Sequence, residues 1–339
     1  MALTNQHKIY AAGAVLALLA GGVYLKQRDA KLDDDKHTKR AGAAALPEVK
    51  ISAEDVDKIT KIELKNADKG SVVLEKADGK WRVKKPVDYP ANEQNVKTLL
   101  DNMKELKAKE LIDPSPSAYA EYQVDDVKGV HATAYKGADK ALDMVFGKSG
   151  GRGQMARKLG ADGVFAISGY SSYLYTREAK GWRDNAILKF DDAKVTKVEI
   201  ENEHGALTFT KDGEAWSAKQ KKDKLERFDD AKLKDMLRAY KALTAEDYGD
   251  GKADADTGLD KPATLTFSLS EGDPVKVRLG KTATGESRYL VKEGSPQVFV
   301  VSSWAAGWGV AKADKFQKPE EKKDDKDKKK DEKKDEKKK

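Results

Sequence analysis

VTKVEIEN, residues 195–202, repeats a stretch already present at residues 59–66, ITKIELKN. Thr60, Lys61, Glu63 and Asn66 recur as Thr196, Lys197, Glu199 and Asn202, and Ile59, Ile62 and Leu64 exchange for the aliphatic Val195, Val198 and Ile200. The correspondence continues downstream. Gly70 and Asp78-Gly79-x-Trp81 answer to Gly205 and Asp212-Gly213-x-x-Trp216; LDMVFGK (142–148) answers to VKVRLGK (275–281), and VFAIS (164–168) to VFVVS (298–302). Across these pairs the offset varies only between 136 and 133 residues, which short loop insertions explain. A repeat of this length predicts two copies of one folding unit.

Ile62 and Leu64 alternate with Lys61, Glu63 and Lys65, the pattern of a half-buried strand. Val72–Leu74 and Trp81–Val83 flank Asp78-Gly79, a hairpin signal. Val96, Leu99, Leu100, Met103 and Leu106 form a helical stripe, predicting a helix from about Glu93 to Lys109 capped by Asn92. Further strands are expected at about 130–136, 142–147 and 154–159, and the apolar run Val164–Ile167 predicts a strand covered on both faces. The second copy reproduces the stripe with Leu233, Met236, Leu237, Tyr240 and Leu243 behind Asp229 as cap, and later strands at Leu265–Leu269 and Val275–Leu279. Short polar turns make each sheet largely antiparallel with one main amphipathic helix, an α+β fold occurring twice.

The expected segments are an N-terminal anchor (1–28), a flexible linker (29–50), repeat one (51–190), repeat two (191–317) and a Lys/Asp/Glu tail (318–339). Ile9–Leu25 is seventeen residues without a charge, bracketed by Lys8, Lys26 and Arg28. At 1.5 Å per residue it spans roughly 25 Å against a hydrocarbon core of about 30 Å. Three readings fit. Tyr10 and Tyr24 at its ends favour a single transmembrane helix, Ala20 and Gly22 suit a cleaved signal peptide, and a buried soluble helix is the third. The first two export the rest of the chain. The tail carries twelve Lys against nine Asp/Glu, so it accounts for +3 of the net +7 and leaves +4 dispersed over the other residues. Interleaved charges with no apolar residue predict a solvated, disordered segment without specific nucleic-acid binding. The chain has no Cys, which excludes disulfides, thiol nucleophiles and thiolate zinc sites.

Few motifs suggest chemistry, and no cofactor is expected. Gly147-Lys148-Ser149 and Gly280-Lys281-Thr282 resemble phosphate loops, but Leu142 and Val275 stand where such a loop needs its first Gly, so a repeated turn is expected. Asp250, Asp254 and Asp256 lack calcium-loop spacing and read as an acidic surface loop. His131, in a strand, and His204, in a turn, have no counterpart in the other copy and no metal-ligand spacing. The aromatics after the last strand of each copy are the candidate partner-binding residues: Tyr170, Tyr173, Trp304 and Trp308. Trp304 and Trp308, four apart behind Ser302 or Ser303, would share a helix face, either packed on the sheet or exposed as a platform for sugar or peptide.

The order of apolar anchor, T-K-[IV]-E-[LI] strand, D-G-x-W turn, amphipathic helix, L-x-[IV]-x-[FL]-G-K strand and V-F-x-[IV]-S resembles the bacterial family called domain of unknown function 4340, in both repeats over about residues 51–317. Trp182-Arg183-Asp184 and Ile187-Leu188-Lys189-Phe190 carry the resemblance best. It implies a non-enzymatic, membrane-anchored envelope protein, single-pass in the inner membrane with its bulk extracytoplasmic. Its implied partner is another envelope protein, ABC-type transporter components included, and the family supplies no catalytic residues. The alternatives are an envelope enzyme with a site in the inter-repeat cleft and polyanion binding through the Lys-rich tail.

Overall fold

A computed structural model describes residues 46–320, which form two compact units, the first ending at Asp184 and the second beginning at Asn185. The predicted anchor, most of the predicted linker and the tail beyond Glu320 lie outside the described residues. Among the described residues no helix is long and apolar enough to cross a membrane.

In the first unit, β1 (Lys61–Asn66), β2 (Gly70–Ala77), β3 (Lys80–Lys85) and β4 (Tyr89–Pro90) precede helix α1 (Glu93–Glu105). Then come β5 (Lys107–Asp113), β6 (Val130–Lys136), β7 (Asp139–Gly150), β8 (Gly153–Lys158), β9 (Val164–Ser168) and the short helix α2 (Ser172–Tyr175). They build one nine-stranded sheet in the order β4-β3-β2-β1-β6-β7-β8-β9-β5. The second unit repeats this with β10 (Val195–Asn202), β11 (Gly205–Asp212), β12 (Ala215–Gln220), β13 (Asp223–Lys224), α3 (Asp230–Tyr240), β14 (Asp247–Tyr248) and a one-turn helix α4 (Asp254–Thr257). Strands β15 (Ala263–Leu269), β16 (Val275–Thr282), β17 (Arg288–Lys292) and β18 (Val298–Val301) and helix α5 (Ser303–Gly309) complete it. Its order, β13-β12-β11-β10-β15-β16-β17-β18-β14, is the first order copied strand for strand. Every strand pair is antiparallel.

The two near-identical octapeptides supply interior strands, the fourth of nine in each sheet. Strand β1 lies between β2 and β6, and β10 between β11 and β15. Ile62 and Leu64, like Val198 and Ile200, point their alternate side chains into the core. The expected helical stripes face the same way: Val96, Leu99, Leu100 and Met103 on α1 and Leu233, Met236, Leu237 and Tyr240 on α3 are all buried. Asn92 accepts from the Asn95 amide and Asp229 from the Ala231 amide, so both predicted caps are made.

Strands β9 and β18 are covered on both faces. Phe165 and Ile167 enter the main core, whereas Val164 and Ala166 join a second cluster with Val124, Val145 and Met155, beneath the loop after β5. In the second unit Leu259, just after α4, covers Val298 and Val300 with Tyr289 and Val291. The stretch expected as an acidic surface loop thus ends in a lid over apolar strands.

Three boundaries depart from expectation. Helix α1 stops at Glu105 rather than near Lys109, because Leu106 is already extended (φ −62°, ψ 134°) and Lys107–Asp113 pairs with β9 as the sheet's edge. Val49, placed in the linker by sequence, is buried with Ile51, whose amide donates to the Met103 carbonyl at 3.1 Å. The units divide at 184/185 rather than 190/191, since the Ile187 and Leu188 amides both donate to the Leu243 carbonyl.

Each unit closes with the same clamp. The chain after the short helix returns to the residues before the main helix, where Asn92 N donates to Trp182 O and Asp184 N to Pro90 O, both at 2.8 Å. Asp229 N to Phe316 O and Lys318 N to Arg227 O repeat the pair at the same distance. Trp182 and Phe316, the aromatics in the two clamps, are fully buried.

Candidate functional site: an exposed aromatic after each last strand

The four candidate aromatics divide into two packed against the core and two exposed. Tyr170 is half-buried, its ring 4.4 Å from Phe146 and stacked at 4.9 Å on Tyr175, and burial pushes its phenol up to about 12. Trp308 is 5% exposed, 5.5 Å from Phe316, with the Lys315 ammonium 4.2 Å over its ring. That lysine also donates to the Gly307 carbonyl at 2.7 Å, and burial lowers its pKa. Both rings pack against aromatic neighbours of their own unit.

Tyr173 and Trp304 are 71% and 53% exposed and, with Val127, are the exposed large hydrophobic side chains among the described residues. The shared Trp304–Trp308 platform is therefore absent. Helix α5 buries Ala305, Ala306, Trp308 and Gly309. Four residues advance a helix by 400°, so Trp308 is turned about 40° from Trp304. That rotation carries Trp308 to the rim of the buried face and leaves Trp304 outside it. Closest approach to the sheet comes at Gly309, where an added Cβ would stand 2.2 Å from Leu279 Cδ1.

The exposed pair is duplicated. Ser171 is the N-cap residue of α2 and Ser302 that of α5, whose hydroxyl accepts from the Ala305 amide at 3.3 Å. Counting from these caps, Tyr173 and Trp304 are each the second residue of the helix that follows the last sheet strand. Aligning the copies by VFAIS and VFVVS pairs Trp304 with Tyr170 instead and hides the equivalence. The tripeptides Ser171-Ser172-Tyr173 and Ser302-Ser303-Trp304 were the available signal. Around Tyr173 the Arg177 guanidinium lies 4.6 Å from the ring centroid and 5.0 Å from that of Trp182, and its Nη1 donates to Gly181 O at 3.1 Å. One tyrosine face is thereby supported and the other is open, the geometry of a rigid aromatic contact residue.

The Gly-Lys triplets are neither phosphate loops nor turns. Both lie within strands, at matching register shifts between Phe146 and Ser149 and between Leu279 and Thr282. A Cβ on Gly147 would stand 2.1 Å from Tyr122 O, and one on Gly280 2.0 Å from Thr257 O. Glycine is required there because the covering segment rests its backbone on the bulge. Among the described residues no group of three or more His, Asp or Glu is placed to hold a metal. His131 faces Asp126 at 3.7 Å, and His204 faces Glu203 at 3.5 Å.

The fold defines a tandem α+β protein of two nine-stranded antiparallel sheets, each followed by a short helix that presents one aromatic to solvent. The chain belongs to the family described as Domain of unknown function (DUF4340), whose model matches residues 81–262. The match begins in β3 and ends before β15, so it takes in both main helices and crosses the boundary between the units. No curated protein and no solved structure matches the chain.

Proposed function

We propose that this is a membrane-anchored envelope protein whose two units, each a copy of the family domain, bind a protein partner through Tyr173 and Trp304. The observation that carries the binding reading is the recurrence of an exposed aromatic at one topological position in both units. Tyrosine and tryptophan are the residue types that dominate interface energetics, with alanine costs of about 2 kcal/mol or more at central positions. The apolar stretch Ile9–Leu25 supports the anchor, and the family resemblance makes ABC-type transport components the first class of partner to test.

The test is a photo-reactive amino acid placed at 173 or 304 in the native envelope, with an exposed control at Glu214. Both aromatic positions should cross-link the same protein, and the doubly substituted Y173A/W304A chain should lose it while melting normally. Capture equal to that from Glu214, or unrelated proteins at the two positions, would overturn the reading. Fractionation tests the anchor: deletion of residues 1–28 should release the protein from membranes, and a mature N-terminus near Val23 would show cleavage instead.

A further inference from the structure

The strand bulges at Gly147 and Gly280 are each braced by a side chain from the neighbouring strand, and the two braces differ in charge. In the first unit Gln154, opposite Ser149, donates through Nε2 to the Gly147 carbonyl at 2.6 Å and accepts from the Ser149 hydroxyl at 2.6 Å. The adjacent Lys148 ammonium is capped by the Tyr122 ring at 4.8 Å. In the second unit Arg288 stands opposite Thr282 and donates through Nη1 to the Gly280 carbonyl at 3.0 Å. A guanidinium has five N–H donors, so the same structural duty leaves most of them for other partners. Lys281, the counterpart of Lys148, has no aromatic over it and no ion pair among the described residues.

These two cations line a pocket of about 240 Å³, joined by Lys261 and walled on its apolar side by Leu279 and Val310. Glu203 and Asp260 also line it, so cations exceed carboxylates by three to two. Glu203 is 81% exposed, its carboxylate 3.5 Å from the His204 imidazole. We infer that this pocket of the second unit binds an anionic group, a carboxylate or a phosphate, with Arg288 as the forked donor and Lys281 and Lys261 as supporting charges. Arginine presents a planar fork that suits either oxyanion. At this volume the pocket takes a small anion or the end group of a larger ligand. The inference rests on the pocket alone and is independent of the partner-binding reading.

Isothermal titration calorimetry of the full chain at fixed ionic strength tests it, with inorganic phosphate in one arm and succinate in the other. R288Q is the informative variant, because Gln154 shows that glutamine makes the bracing bond and keeps the bulge. Saturable binding in either arm, weakened at least about tenfold by R288Q and reduced by K281Q, is expected. K148Q in the first unit should leave it unchanged. The arm that saturates identifies the oxyanion. Failure of both ligands to saturate, or R288Q and K281Q titrating like the parent chain, would overturn the assignment, the latter by showing diffuse binding to surface lysines.

Discussion

The buried hydroxyl of Tyr240 donates to the main-chain carbonyl of Ala305 at 3.0 Å, tying α3 to α5 across the core of the second unit. Met103 occupies the matching position of α1 and cannot make this bond. There the tie is made one residue earlier, where Asn102 Nδ2 donates to Gly169 O at 2.8 Å. Two units of one topology therefore fasten the main helix to the post-sheet segment by different chemistry.

Removing only that hydroxyl isolates the bond. Y240F keeps the ring 5.2 Å from Phe267 but leaves the Ala305 carbonyl without its donor. A cost of about 1–2 kcal/mol is expected. Hydrogen exchange should show reduced protection of Asp230–Tyr240 with Glu93–Glu105 unaffected; equal loss in both helices would contradict the assignment.

The bulge glycines should be far less tolerant than a turn glycine. G147A and G280A each place a methyl about 2 Å from a backbone oxygen, so each should destabilise its unit by more than about 2 kcal/mol. Gly79 has φ +79° with nothing within 4 Å, so G79A should cost only about 1 kcal/mol of backbone strain. Urea midpoints of the three variants give the ranking, and a G79A cost equal to the others would defeat the close-approach argument.

His131 gives the first unit a pH dependence. Burial lowers its pKa below 6.5; Asp126 opposes that, while Lys65 and Arg157 add to it. Asp143 on the neighbouring strand also acts to raise it. Above pH 6.5 the imidazole is neutral in both states and costs nothing. As the pH falls below 6.5 the unfolded chain takes up the proton first, so stability falls until the lowered native value is passed. H131Q should flatten the slope of the urea midpoint between pH 7 and about 5.5. An unchanged slope would assign the dependence elsewhere.

Phe316 makes the end of the second unit sharp. Ending the chain after Asp314 removes a fully buried ring 4.8 Å from Phe209, together with the clamp to Asp229. A loss of about 3–5 kcal/mol follows for the ring alone. Ending it after Gln317 removes only the exposed contacts of Lys318 and Glu320 with Arg227 and should shift the melting temperature little. Comparable losses in the two truncations would contradict the clamp.

Much of this architecture was legible because it is written in local periodicities. Alternation in ITKIELKN and VTKVEIEN marked the interior strands, and the stripes at Val96–Leu106 and Leu233–Leu243 marked the main helices. Legibility ended where distant pairing decided the outcome. Lys107–Asp113 continues a helical stripe through Leu106, yet it is a strand because β9 lies beside it. Val49 sits after an alanine-rich run with no period, and it is buried where its segment lies beside Leu142 and Met144 of β7 and Lys158 of β8. Among the aromatics, chemistry was readable but side was not, since a rotation of about 40° separates Trp304 from Trp308. The Gly-Lys triplets were visible as a duplication, whereas their role depends on carbonyls from residues 122 and 257 that no local pattern announces.

The clamps also order events during synthesis. Strand β1 waits for β6, and the first unit lacks its closing bonds until Trp182 and Asp184 have been made. Once Asp184 is present, every strand and clamp residue of the first unit is available. It can reach its native state before VTKVEIEN, so similar to its own β1, emerges to compete for the same place. Domains generally fold as units from the N-terminus during translation. A closure point at residue 184, ahead of the duplicate strand, lets the first unit satisfy all of its own pairings with no residue of the second.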